Sequence, residues 1–130
     1  MRYIGIDYGS KRIGIAVADD EGKIAFPREC IDNASEHDVC GAIKKIIDNE
    51  GIQRVIIGLP LSFAGVDTDQ TAEVRAFAEM LSHAVQLSIE FQNEVLSSRT
   101  VERAGIEKNR VDSAAAALIL QSYIDAHQNN

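Results

Sequence analysis

Hydrophobic positions along the chain follow two different rhythms. Tyr3, Ile4, Ile6 and Tyr8 form a short apolar run, Gly9-Ser10-Lys11-Arg12 interrupts it, and Ile13-Gly14-Ile15-Ala16-Val17-Ala18 resumes it. This pattern predicts two strands joined by a tight polar turn. Asp19-Asp20-Glu21-Gly22 reads as a second turn, and Lys23–Phe26 as a third strand stopped by Pro27. The period then lengthens. Ser35, with Asp38 three residues on, has the form of a helix cap, and Val39, Ile43, Ile46 and Ile47 follow at helical spacing until Gly51. Val55-Ile56-Ile57-Gly58-Leu59 is a continuous apolar run, as in a strand buried on both faces, ended by Pro60. Val74, Phe77, Ala78 and Leu81 mark a second amphipathic helix, and Leu87, Ile89 and Phe91 alternate as a further strand. The polar stretch 97–110 reads as a short helix plus a loop. An apolar, alanine-rich helix follows from Asp112 to about Ala126.

The order is therefore β-β-β-α-β-α-β-α. Hairpins make the first three strands antiparallel, and helical crossovers make the later ones parallel. The expected fold class is α/β: a mixed five-stranded sheet with helices on both faces. A length of 130 residues suits one domain, expected over 1–130. With 45% hydrophobic and 25% charged residues the chain is not a disordered one. No apolar run reaches the roughly 18–20 residues that cross a bilayer, and no apolar leader follows Arg2, so the expected setting is cytoplasmic. Cys30 and Cys40, the two cysteines, have neither CxxC spacing nor a histidine cluster, so no disulfide framework or zinc site is implied.

The net charge of -7 weighs against a nonspecific nucleic-acid binder, but the distribution changes that reading. Acid is concentrated in residues 19–94, with fifteen acidic and six basic side chains. Residues 1–18 and 95–111 each carry two more basic than acidic side chains, which permits a localised phosphate-binding face.

Asp7 is the first chemical anomaly, because a carboxylate inside an apolar strand is costly unless it is paired, at an edge or holding a metal. Alternation puts it on the face of Tyr3 and Gly5. Glycines at 5, 9 and 14 clear side chains around it, so a phosphate or a second backbone can come close. Glu94 follows the last strand and Asp112 opens the last helix. Each acid has an ordinary structural alternative: a turn cap for Asp7, a solvated loop charge for Glu94, a helix N-cap for Asp112. Together they can converge at one end of the sheet, where three carboxylates repel unless a cation sits among them. Magnesium or manganese suits such oxygen donors.

The blocks Ile4–Asp19, Val55–Leu61 with Gly65, Glu94–Ser98 and Val111–Tyr123 resemble the YqgF/RuvX family, Holliday-junction-resolvase-like proteins described as pre-16S rRNA nucleases. The resemblance runs from about Tyr3 to Ile124. It implies a ribonuclease H-like fold and metal-dependent phosphodiester hydrolysis by an acidic triad, onto which Asp7, Glu94 and Asp112 map. Two metals would then clamp the scissile phosphate. The family's basic turn falls on Lys11 and Arg12 as phosphate contacts, and Arg99, Arg103, Lys108 and Arg110 extend a basic rim. Precursor rRNA is the implied substrate and branched DNA the alternative, acted on by a monomer or a homodimer.

The chain also departs from the family pattern. Asn93-Glu94-Val95-Leu96-Ser97 stands where the family usually reads Asp-Glu-Arg-Leu-Thr, which removes an acid and an arginine beside the central glutamate. Ser62-Phe63-Ala64 replaces an Asn-Met-Asp-like stretch, and the segment from Ser98 to Asp112 is short. These changes, with the net acidity, favour a competing class: a non-catalytic nucleic-acid-binding or ribosome-assembly module of the same fold. An actin- or hexokinase-like ATPase also carries an aspartate amid glycines in its first hairpin, but 130 residues leave no room for its second lobe.

Overall fold

A computed structural model describes residues 1–62, 65–95 and 108–128. Its elements run β1 (Tyr3–Tyr8), β2 (Arg12–Ala18), β3 (Ala25–Asp32), α1 (Glu36–Glu50), β4 (Arg54–Leu61), α2 (Asp69–Val85), β5 (Ser88–Val95) and α3 (Lys108–Gln128). The five strands form one sheet in the order β3-β2-β1-β4-β5, which puts β1 at the centre. β1, β2 and β3 pair antiparallel, while β4 runs parallel to both β1 and β5. This is the mixed sheet that the hydrophobic pattern predicts.

The two faces of the sheet differ in side-chain size, and the difference decides which helices they receive. Ile4, Ile6, Ile13, Ile15, Val55 and Ile57 point to one side, where α1 supplies Val39, Ile43, Ile46 and Ile47 and α2 supplies Val74, Phe77 and Leu81. Bulky branched residues on both partners interdigitate there. The opposite side presents Gly5, Gly14, Ala16, Ala18 and Gly58, and there α3 packs with Ala116, Ile119, Leu120, Tyr123 and Ile124. A methyl built on Gly5 would stand 2.7 Å from the Leu120 Cβ and 3.0 Å from the Ala116 carbonyl oxygen. The glycine is what lets the helix approach the central strand so closely.

The helix ends follow local chemistry. The Ser35 hydroxyl accepts from the Asp38 N–H at 3.1 Å, and Gly51 ends α1 in the left-handed region at φ 66°. Thr68 and Thr71 close a reciprocal capping box at the start of α2. Arg2 ties three elements together: it donates to the Ala18 carbonyl at 2.9 Å and to the Glu50 carbonyl and carboxylate at 2.7 and 2.9 Å.

Four boundaries differ from the sequence reading. β3 begins at Ala25 and continues through Pro27 to Asp32. It is an edge strand, so a missing N–H on its outer side breaks no ladder. The register shifts opposite Ile15 and Ala16, whose partners are Glu29 and Pro27, leaving Arg28 as the bulged residue. Pro60 likewise lies inside β4, because the pairing of β4 with β1 has ended at Ile57 and only β5 remains beside it. Glu94 is a strand residue, paired with Pro60, since β5 extends to Val95. Asp112 sits one turn inside α3 instead of opening it. Residues 97–107, read as a short helix plus a loop, lie outside the described residues.

Candidate functional site

β1 carries Asp7 at its C-terminal end, half-buried, one pair beyond Gly5 on the α3 face. Its partner on β2 is Gly14, so no side chain intervenes on that flank. Two residues back along β2 on the same face is Arg12, also half-buried. The turn between them is held by Asn33, whose Nδ2 donates to the Gly9 carbonyl and whose backbone N–H donates to the Lys11 carbonyl, both at 2.9 Å. A side chain on Gly9 would run into the Arg12 carbonyl, so the tight turn requires glycine. Lys11 is exposed at its tip.

On the other flank, the register carries Gly5 across to Ile56 and on to Glu90. One pair further, Asp7 stands level with Gly58 and Gln92, and Glu94 follows one pair beyond on the same face. Glu94 is half-buried and Asn93, facing the other way, is exposed. β1 and β4 part after Ile6 and Ile57, whereas β4 and β5 stay paired to Leu61 and Val95. The pairing of β1 with β4 thus ends at the carboxyl ends of the strands, where the chain's connections reverse direction across the sheet. Open α/β sheets bind their ligands at such a point.

The third acid arrives on α3. That helix runs antiparallel to β1, with Tyr123 against Tyr3 and Ala116 over Gly5. Four residues back from Ala116 is about 6 Å of helix, and two residues from Gly5 to Asp7 is about 6.6 Å of strand. The backbone at position 112 therefore comes level with Asp7. The Asp112 side chain lies outside the described residues, as do those of Lys108 and Arg110 and the whole of Arg99 and Arg103. Among the described residues no three acidic, histidine or cysteine side chains gather as a metal cluster. The described members of the expected set, Asp7 and Glu94, share one face and one end of the sheet.

At the opposite end of that face is a cluster that the sequence reading missed. The Tyr123 hydroxyl donates to Glu90 and accepts from Arg54 Nη1 at 3.1 Å, while Arg54 lies 3.4 Å from the same carboxylate. Burial and then the hydrogen bond to Glu90 push the Tyr123 phenol up, and that of Arg54 rises chiefly through its bond to Tyr123. A signal existed in the sequence. A tyrosine on the buried face of a helix needs a partner for its hydroxyl, although Glu90 itself sits unremarkably on the polar beat between Ile89 and Phe91. His127 stacks on Tyr123 with centroids 4.0 Å apart and is structural; His37 and His83 are exposed on α1 and α2.

The sequence profile of the RuvX family, described as Holliday junction resolvase, matches residues 1–126. The chain belongs to the RuvX family. Its relatives include a protein of Maridesulfovibrio salexigens, 36% identical over 95% of this chain and 98% of that one. Another, from Chloroflexus aggregans, is 32% identical over 97% and 94%. Both bear the name "Putative pre-16S rRNA nuclease". Among solved structures, Thermus thermophilus RuvC is similar with a TM-score of 0.63 at 12% identity, covering 99% of this chain and 97% of that one. The same enzyme in complex with a Holliday junction substrate gives 0.64 at 12% identity, over 98% and 96%. The RuvX chain thus has the ribonuclease H-like fold that the strand order describes.

Proposed function

We propose that the protein is a metal-dependent endonuclease that hydrolyses phosphodiester bonds in structured nucleic acid, with precursor rRNA as substrate ahead of branched DNA. The observation that carries this reading is the placement of Asp7 and Glu94 on one face at the carboxyl ends of the strands, with the α3 backbone bringing position 112 level with them. The donor set fits a hard divalent cation: three carboxylates, with a glycine rather than a side chain beside Asp7 on β2. The names borne by the relatives support a nuclease acting on precursor rRNA.

In this reading Asp7, Glu94 and Asp112 hold Mg²⁺ or Mn²⁺. When bound, such a cation lowers the pKa of the attacking water and neutralises charge on the phosphate. The chain's own side chains do the rest. Asp7 is fixed by a central strand, so its carboxylate holds one position through the reaction. Arg12, on the same face, presents its guanidinium to the non-bridging phosphate oxygens, and Lys11 adds a second positive charge at the turn. Arg99 and Arg103 extend the contact along the nucleic acid. The water oxygen would bond to phosphorus and release its proton to solvent, while the bond from phosphorus to the leaving sugar oxygen breaks and that oxygen takes up a proton from solvent.

The competing reading, a binding module without cleavage, is favoured by Asn93 and Val95 in place of an acid and an arginine beside Glu94. Among the described residues no helix is long and apolar enough to cross a membrane, and we place the protein in the cytoplasm as a monomer or a homodimer. The deciding experiment incubates purified protein with precursor rRNA and with a four-way DNA junction, with and without Mn²⁺, alongside a melting curve. Cleavage that requires the metal, with a melting temperature raised by it, is the expected result. Metal-independent binding of either substrate without cleavage would select the binding module.

A further inference from the structure

The C-terminal half of α3 is fastened from three directions. Beneath it, Gly5 admits Ala116 and Leu120, and Gly58 admits Ile119. On the β5 side, the Tyr123 hydroxyl is held between Glu90 and Arg54, and its ring meets the edge of Tyr3 at 5.8 Å. On the β3 side, the Gln121 carboxamide acts as a peptide group: its Oε1 accepts from the Ala25 N–H at 2.9 Å and its Nε2 donates to the Lys23 carbonyl at 3.0 Å. The two polar fastenings lie on opposite flanks of one helical turn. Toward the N-terminus the buried residues shrink to Ala116, Ala115 and Ser113. Small side chains over glycines allow close approach but resist sliding and rotation weakly, since few knobs enter holes. The directional hydrogen bonds of Tyr123 and Gln121 then add to the seating of Ile119 and Leu120 in setting the helix register.

We infer that Tyr123 and Gln121 are positioning residues, which fix the axial place and rotation of α3 and, through the stiffness of the helix, the place of Asp112 relative to Asp7. The lever arms from Asp112 are about 14 Å to Gln121 and about 17 Å to Tyr123, at 1.5 Å per residue. Arg54 and Glu90 belong to the same fastening as the anchors of Tyr123. The inference rests on the reading of Asp112 as a metal-binding acid, but the mechanical part of it can be tested in metal-free protein.

The experiment compares wild type with Tyr123→Phe, which keeps the ring packing and loses the hydroxyl, and with Gln121→Ala at a half-exposed site. Amide hydrogen exchange is measured on the metal-free proteins, and Mn²⁺ affinity and cleavage kinetics on the same samples. Each variant should speed exchange of the amides at 113–117, and weaken Mn²⁺ binding, by about three- to tenfold, the scale of one lost hydrogen bond. Cleavage should lose kcat with KM for nucleic acid unchanged. Faster exchange confined to residues 119–125, with 113–117 at wild-type rates, overturns the inference: the fastenings would then be local. Should wild type bind no Mn²⁺ through Asp7 and Asp112, the metal reading falls, while the exchange arm still decides whether α3 behaves as a strut. Gln121→Ala and Tyr123→Phe together keep the test open if one of them folds poorly.

Discussion

Gly5→Ala probes the contact that sets the distance between α3 and the central strand. The new methyl would lie 2.7 Å from the Leu120 Cβ and 3.0 Å from the Ala116 carbonyl oxygen, both of them atoms fixed to the helix backbone. Carbon atoms pack at about 3.5–4.0 Å, so the helix must move outward by about 1 Å. Overpacking of this kind costs about 1–3 kcal/mol. Gly5 does not have positive φ, so alanine is not strained there, and its smaller unfolded-state entropy offsets about 0.4–1 kcal/mol. The net loss is about 1–2 kcal/mol. At about 2.1 cal/mol/K per residue over this chain, that lowers the melting temperature by about 4–7 °C. Because the displaced helix carries Asp112, cleavage should fall about 100-fold, the penalty for a misplacement of about 1 Å. Gly58→Ala is the control. Its methyl meets only side-chain atoms of Ile119, the flexible Cδ1 and Cγ1 foremost, and none of the helix backbone, so a rotamer change can relieve it and it should cost less than Gly5→Ala. Thermal melts and single-turnover cleavage of precursor rRNA with Mn²⁺ measure both variants. A Gly5→Ala protein as stable as wild type, or a Gly58→Ala protein more damaged than it, would refute the close-approach argument.

Three further outcomes are expected. If the proposed acidic site holds, Asp7→Asn should lose cleavage by orders of magnitude while its metal-free melting temperature holds or rises, since one of that site's three repelling carboxylates is gone; full activity would end the nuclease mechanism. Charge reversal at Lys11 and Arg12 should weaken nucleic-acid binding and flatten its salt dependence, whereas reversal at Lys44 and Lys45, exposed on α1 across the sheet, should not; equal losses in a binding titration would argue against a localised face. The hydrogen bond from Arg2 holds the Glu50 carboxyl below the usual range against the opposing effect of burial, with Arg28 adding to it. A depressed folded pKa contributes stability that is present above the unfolded value of about 4.3 and disappears as pH falls through the lower folded one. Urea midpoints should therefore show Glu50→Gln weaker than wild type at pH 7, with a shallower acid limb.

The local rhythm of the sequence suffices for the element order, the parallel and antiparallel pairings and the caps at Ser35 and Gly51, because alternation, helical spacing and capping chemistry act within a few residues. Alternation alone also puts Asp7 on the face of Gly5, and the glycines around it already indicate a close approach. What approaches is a tertiary fact: the second backbone is α3, and no local pattern says that an alanine-rich helix at the far end of the chain covers β1. Pro27 and Pro60 read as strand ends because proline removes a donor, yet both lie inside strands. One faces the open side of an edge strand and the other the gap where β1 has left β4, and only the assembled sheet supplies those vacancies. Glu94 reads as a loop acid because its strand partner is Pro60, itself taken for a stop. Gln121 and Tyr123 carry no local signal of their partners, 98 and 33 residues away, since hydrogen bonds of that separation exist only once the helix has been seated on the sheet.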